Sequence, residues 1–239
     1  MLKARNFFTA VYQATIFTPD TSAFSAPKFL ATILGKYAHH YNGSVQALPL
    51  PENIPSEIPR VILQSSDGYF KLEASPARVN SLFMHQNIES TAESEELFSS
   101  ICVEVLEHYV RETETQVSRL AMVLTRVHKT ENPAQVLIER FCKSDVQSVL
   151  FERSENFEIH NNKQFQLRNF TINSWVRCKT ATIIFSDSST PGIVVEQDLN
   201  TLATEIEQRK FTSEDIRSYF HQALKEAQEI LRSYFPDAD

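Results

Sequence analysis

Glycine is scarce in this chain. Its 239 residues include four: Gly35, Gly43, Gly68 and Gly192. A P-loop or dinucleotide fingerprint needs several closely spaced glycines, so that backbone N–H groups can cradle phosphate. No two of these four lie close enough, and both motifs are excluded. Cysteine is scarcer still: Cys102, Cys142 and Cys178, with no CxxC pair. That spacing argues against a zinc ribbon or a dithiol redox motif. Dispersed, odd-numbered thiols read as reduced and cytosolic. No uncharged apolar run approaches the ~18 residues of a membrane span. The opening Met1 to Asn6 lacks the apolar core of a signal peptide. We therefore expect a cytoplasmic protein with no membrane contact, no metal and no cofactor.

What is present is an ordinary globular composition, 42% hydrophobic and 22% charged. Seventeen Phe and seven Tyr can fill a substantial core. The net charge of −7 argues against nucleic-acid binding by the whole surface, although a local basic patch is compatible with it.

The pattern along the chain alternates strands and helices. Phe7 to Phe17 is aromatic and β-branched, which predicts a long strand. Ser25-Ala26-Pro27 reads as a helix start, followed by Phe29, Leu30, Ile33, Leu34 and Tyr37 at helical spacing, with Gly43 as a stop. Pro49, Pro51, Pro55 and Pro59 forbid regular structure up to position 59. Asp67-Gly68 between Val61–Gln64 and Tyr69–Ala74 signals a hairpin, and Arg78 to His85 extends the meander. A helix capped within Ser90 to Ser94 would bury Leu97, Phe98, Ile101, Cys102, Val105 and Tyr109.

The second half repeats this order. Val117 to His128 predicts a strand and Pro133 a short helix. Strands follow at Phe157–His160 and Phe165–Ile172, around a turn at Asn161-Asn162. Trp175–Phe185 and Ile193–Asp198 flank a polar loop. Thr212 and Asp215 form a capping-box-like pair before a helix with Ile216, Phe220, Ala223, Ala227 and Ile230 or Leu231 on one stripe. The expected fold is α+β: antiparallel sheets with helices packed on one face, in two similar β-α-β-β-β-α halves. Residues 1–114 form the first half and 115–239 the second, packed as one domain or as two.

Four places carry a resemblance to a known family. They are the opening strand and helix, the hairpin Val61 to Gly68 with Phe70-Lys71-Leu72-Glu73, the strand Ser118 to Arg126, and Val194 to Asp198 with the final helix. With these the chain resembles a sporadically distributed, uncharacterised prokaryotic family of about this length, sometimes found beside defence genes. Thr125-Arg126-Val127-His128 departs from the Arg-Tyr-Ile-Asn-like end of that family's third element. The resemblance implies a fold and a genomic neighbourhood, and no activity.

Several residues are candidates for chemistry. Arg126 and His128 share strand parity, as do Arg177 and Lys179. With both strands facing one way, and Arg119 near, they would build a basic patch for phosphate or a partner's carboxylates. The bland alternative is a solvated face paired with Glu152, Glu155 or Glu158. His39-His40 closes the first helix and could serve as acid and base near RNA, or simply favour the helix dipole. Glu93, Glu95 and Glu96 suit a helix N-terminus. Glu196 and Asp198 share parity on one strand and could bind Mg²⁺ with Asp187. Trp175 reads as core, or else as an interface anchor.

No nucleophile has a distinctive local motif. The leading reading is a non-enzymatic interaction or regulatory subunit of a prokaryotic, defence-related complex, with a protein partner encoded nearby. The second is a nucleic-acid-binding protein or ribonuclease using Arg126, His128, Arg177 and Lys179. The third is a metal-dependent nuclease.

Overall fold

Nine antiparallel strands join into one sheet in the computed structural model, which describes residues 2–49, 51, 53–86, 95–185 and 188–237. The strands are β1 (Phe8–Phe17), β2 (Val45–Ala47), β3 (Val61–Gln64), β4 (Phe70–Ala74), β5 (Arg78–Met84), β6 (Arg119–Lys129), β7 (Glu158–Leu167), β8 (Phe170–Phe185) and β9 (Ser188–Thr201). Their order across the sheet is β2-β3-β4-β5-β1-β6-β9-β8-β7. The first strand of each half lies at the centre, where β1 pairs with β6; in each half the next strand takes the outer edge and the following strands run back inward.

Alternation along the strands decides which face is covered. Tyr12, Ala14 and Ile16 of β1 and Leu120, Met122 and Leu124 of β6 point into the main core. The core is closed on that side by α1 (Ala26–Tyr37), α2 (Glu95–Thr113), α3 (Pro133–Phe141) and α5 (Ser213–Tyr234), with the short α4 (Ser144–Leu150) after α3. The fold is thus α+β with helices on one face, as the element pattern predicts.

The helices begin where the chemistry places them. Ser25 Oγ accepts from Lys28 N at 3.4 Å, and Pro27 loses no helical hydrogen bond in the first turn. Thr212 and Asp215 exchange hydrogen bonds in a capping box, at 3.1 and 2.9 Å. Behind that cap, α5 buries Ile216, Phe220, Ala223, Ala227, Ile230 and Leu231. Each of its large apolar side chains contributes roughly 1.5–3 kcal/mol on burial. On α2, Phe98, Cys102, Val105 and Tyr109 are buried, whereas Leu97 is exposed. The cap expected within Ser90 to Ser94 lies outside the described residues.

Four local expectations are corrected. Residues 158–167 form one strand through Asn161-Asn162, and the turn falls at Arg168, whose φ is 52°. The asparagines are held in the strand by their side chains: Asn161 Nδ2 donates to the Tyr234 hydroxyl at 3.0 Å, and Asn162 Nδ2 to Asn173 Oδ1 at 3.0 Å. The short edge strand β2 forms just ahead of the prolines, paired with β3. Ser188 to Gly192 are strand rather than loop, with Pro191 opposite Thr182. Trp175 is not in the core: it is 38% exposed on the face without helices.

Candidate functional site

The uncovered face of the sheet carries one row of side chains set by register. Thr125 lies opposite Glu196, and Glu196 opposite Arg177. One step along, Val123 lies opposite Asp198, and Asp198 opposite Trp175. These six residues line a recess of about 420 Å³. Lys179 Nζ is 2.9 Å from Glu196 Oε1, and Arg177 Nη1 is 3.9 Å from Glu196 Oε2. The Arg177 guanidinium also sits 5.8 Å from the centre of the Trp175 ring. Burial pushes the Asp198 carboxyl above the ordinary aspartate value, against the pull of the Asn200 hydrogen bond, Arg119 and Arg177.

Next to this recess is a small apolar patch. Ala10, Val127, Ile183 and Val194 form a second buried cluster, flanked by Phe8, Val11 and Ala181. It exists because β8 and β9 run past their neighbours. β6 ends opposite Gly192 and β7 begins opposite Lys179, so the last residues of β8 and the first of β9 continue as a two-stranded arm. Ile183 on that arm packs over the patch, while Ile184 is 70% exposed. Gly192 permits the approach: a Cβ there would strike the Ile183 side chain and lie 2.5 Å from the His128 carbonyl oxygen.

The four basic residues expected to converge do not meet. Register aligns Arg177 and Lys179 with Thr125 and Val127 across β9, so Arg126 and His128 point to the opposite, helix-covered face. His128 Nδ1 lies 3.1 Å from the Asn6 carbonyl oxygen, with the ring against Phe7. Arg119 donates to Asn200 Oδ1 at 2.7 Å and to Thr201 O at 3.3 Å, and its guanidinium lies 4.7 Å from the Phe17 ring centre. Of the acidic residues offered as surface partners, none of Glu152, Glu155 or Glu158 takes Arg177 or Lys179. Glu196 does: it lies directly opposite Arg177 and diagonally from Lys179, while Glu158, opposite Lys179 on β7, pairs with His160 instead.

Arg126 is 2% exposed and sits in a polar centre under the helices. Its Nε and Nη2 donate to the Glu95 carboxylate at 3.2 and 3.1 Å, and Nη1 donates to Gln197 Oε1. Gln197 Nε2 donates to Ala227 O at 2.8 Å, and Gln228 Nε2 to Glu95 Oε2 at 3.0 Å. Thr9 Oγ1 also donates to Glu95. Thr9 reaches it because the β1–β6 register shifts by one residue between Thr9 and Val11. The bulge turns Thr9 to the covered face. Burial pushes the Glu95 carboxyl up, but the Arg126 charge and the hydrogen bonds outweigh it and hold Glu95 below the ordinary value. The centre joins β1, β6, β9, α2 and α5, and it buries the Arg126 guanidinium away from the surface where nucleic acid would bind.

Neither a known protein family nor a curated protein matches this chain.

The remaining candidates separate as well. Among the described residues, no group of three His, Cys, Asp or Glu side chains could hold a metal ion. Asp187 and Glu93 lie outside them. His39 and His40 follow α1 with ring centres 4.1 Å apart, and His40 packs against Phe70. The buried thiols of Cys102 and Cys178 are each pushed up to about 12 by desolvation, which makes them poor nucleophiles. No described helix is long and apolar enough to cross a membrane.

Proposed function

We propose that this protein is a non-catalytic interaction subunit that docks a protein partner on the uncovered face of its sheet. The observation that carries the reading is the half-exposed Trp175 on that face. It stands beside the Glu196–Asp198 recess and next to the apolar patch under Ile183. A tryptophan with one side packed and one side open is a favourable interface anchor. The ion pairs of Arg177 and Lys179 with Glu196 disfavour a phosphate-binding role for those two cations. The resemblance to a prokaryotic family found near defence genes points to a partner encoded close by, in a defence-related complex.

The test is affinity purification from the native host, with the wild-type chain beside Trp175→Ser. The expected result is one stoichiometric protein on the wild type, absent from the variant, with no nucleic acid. Nucleic acid in place of protein, or a partner retained by the variant, would overturn the reading.

A further inference from the structure

The two outer edges of the sheet, β2 and β7, are finished differently. An edge strand offers a row of unpaired N–H and C=O groups, and proteins blunt it by shortness, proline, bulges or charge. At one edge β2 has three residues, with Pro49 and Pro51 close behind. At the other, β7 has ten residues, no proline, no glycine and no break in its register with β8. None of the ten is buried, and among the described residues nothing pairs with their outer side.

The hairpin fixes which backbone groups of β7 point outward. Leu167 lies opposite Phe170 across a two-residue turn, and beyond the other end of the strand Thr180 N donates to Phe157 O at 3.1 Å. Hydrogen-bonded pairs alternate along an antiparallel ladder, so the odd-numbered residues bond to β8. Glu158, His160, Asn162, Gln164 and Gln166 therefore turn their N–H and C=O groups away from the sheet. An added strand must set its own outward-turned residues opposite these five.

A second β7, run antiparallel, does this over the full strand when the two-fold axis passes through Asn162. On the helix side Ile159 then meets Phe165, and Lys163 meets Asn161. On the open side Glu158 meets Gln166, and His160 meets Gln164. Apolar residues oppose each other and no like charges do, which is the pairing that stabilises a ladder. Moving the axis to Lys163 would set two lysines face to face. Moving it to Asn161 would set Lys163 against Ile159.

We propose that β7 pairs with β7 of a second copy of this chain, antiparallel about Asn162, so that the two sheets continue as one. Trp175 lies opposite Asn162 on β8. The dimer therefore sets both Trp175 side chains in one row on the open face, three strand spacings or about 14 Å apart. The inference does not rest on the docking of a different protein, because the free edge of β7 is separate from that surface.

The test is sedimentation velocity of the purified full chain up to about 100 μM, far above the ~1 μM dissociation constant of a modest specific interface. A reversible monomer–dimer equilibrium is expected. Gln164→Pro removes an N–H that β8 does not use, so the hairpin persists while association weakens by at least about tenfold. A second variant set reads the register. Cys102 and Cys178 are buried, so Cys142→Ser removes the remaining native thiol. In that background Asn162→Cys should give a covalent dimer on oxidation, since directly opposed Cα atoms lie about 5.5 Å apart. Gln164→Cys should not, because its two copies lie about 13 Å apart along the strands. The inference is overturned if the wild-type chain is monomeric throughout, if Gln164→Pro dimerises like wild type, or if Gln164→Cys crosslinks as readily as Asn162→Cys.

Discussion

The Arg126 guanidinium lies 3.1 Å from the Glu95 carboxylate, joining the central strand β6 to the first described turn of α2 beneath the helix layer. Sequence spacing offered Arg126 as a surface cation and Glu95 as a helix-dipole partner. The sheet register and one bulge in β1 bring them together instead.

Removing one partner of this pair should be far worse than removing both. Arg126→Met leaves Glu95 half-buried without its counter-charge and Gln197 without its donor, at a cost of about 3 kcal/mol. Glu95→Gln/Arg126→Met should recover a substantial part of that loss. A double-mutant cycle by urea denaturation measures the coupling, and additive costs would contradict the account. The acid dependence has a definite sign. The folded Glu95 value is lowered, so its contribution is full above the ordinary 4.5 and disappears as pH falls through the folded value. Glu95→Gln should flatten that acid limb.

Asp198 has the opposite sign. Its folded pKa is raised, so stability is greatest below the ordinary 3.8 and is lost as pH rises through the folded value. Asp198→Asn keeps an acceptor for the Asn200 amide, which donates to Asp198 Oδ1 at 3.1 Å. The variant should be more stable than wild type at pH 7 and no more stable near pH 3. Thermal melts at the two pH values check this, and an equal or lower melting temperature at pH 7 would count against it.

His85 and His108 both have lowered pKa values, each first through burial. A lowered histidine contributes stability above its ordinary 6.5, and that stability is lost as pH falls through the folded value. His85 packs on Phe8, Phe83 and Phe98, and its Nδ1 has no partner among the described residues. His85→Phe should therefore reduce the loss of stability between pH 7 and pH 5, read by urea midpoints. An unchanged slope would exclude His85 as its source.

Gly192→Ala should destabilise by about 2 kcal/mol, the scale of overpacking in a close contact. The new methyl meets Ile183 and the His128 carbonyl. Adding Ile183→Ala should recover part of the loss by removing one of the two clashes. Amide exchange along β8 and β9 reads the effect locally, and protection of the arm unchanged by Gly192→Ala would refute the packing described.

Most of the fold was legible in the sequence because strand alternation, the Asp67-Gly68 turn and the Thr212–Asp215 box are local signals. The turn at Arg168 was not, since a non-glycine residue in the left-handed region carries no marker as clear as an Asn-Asn pair. The polar centre was illegible for a longer-range reason. Parity within β6 correctly puts Arg126 and His128 on one face, but only the register of β9 shows that Arg177 and Lys179 occupy the other. The Thr9 contact depends on a bulge that no periodicity reveals. Trp175 read as core because tryptophan usually packs, yet its partner strands present Asp198 and Asn162 to it rather than a helix.

The most direct test of the docking face is a hydroxyl-radical footprint of the protein, free and bound to the partner purified from its host. The account predicts protection of Trp175 on binding, with Lys36, Glu104 and Arg217 in the helix layer unchanged. Protection confined to the helix layer, with Trp175 as reactive in the complex as in the free chain, would contradict it.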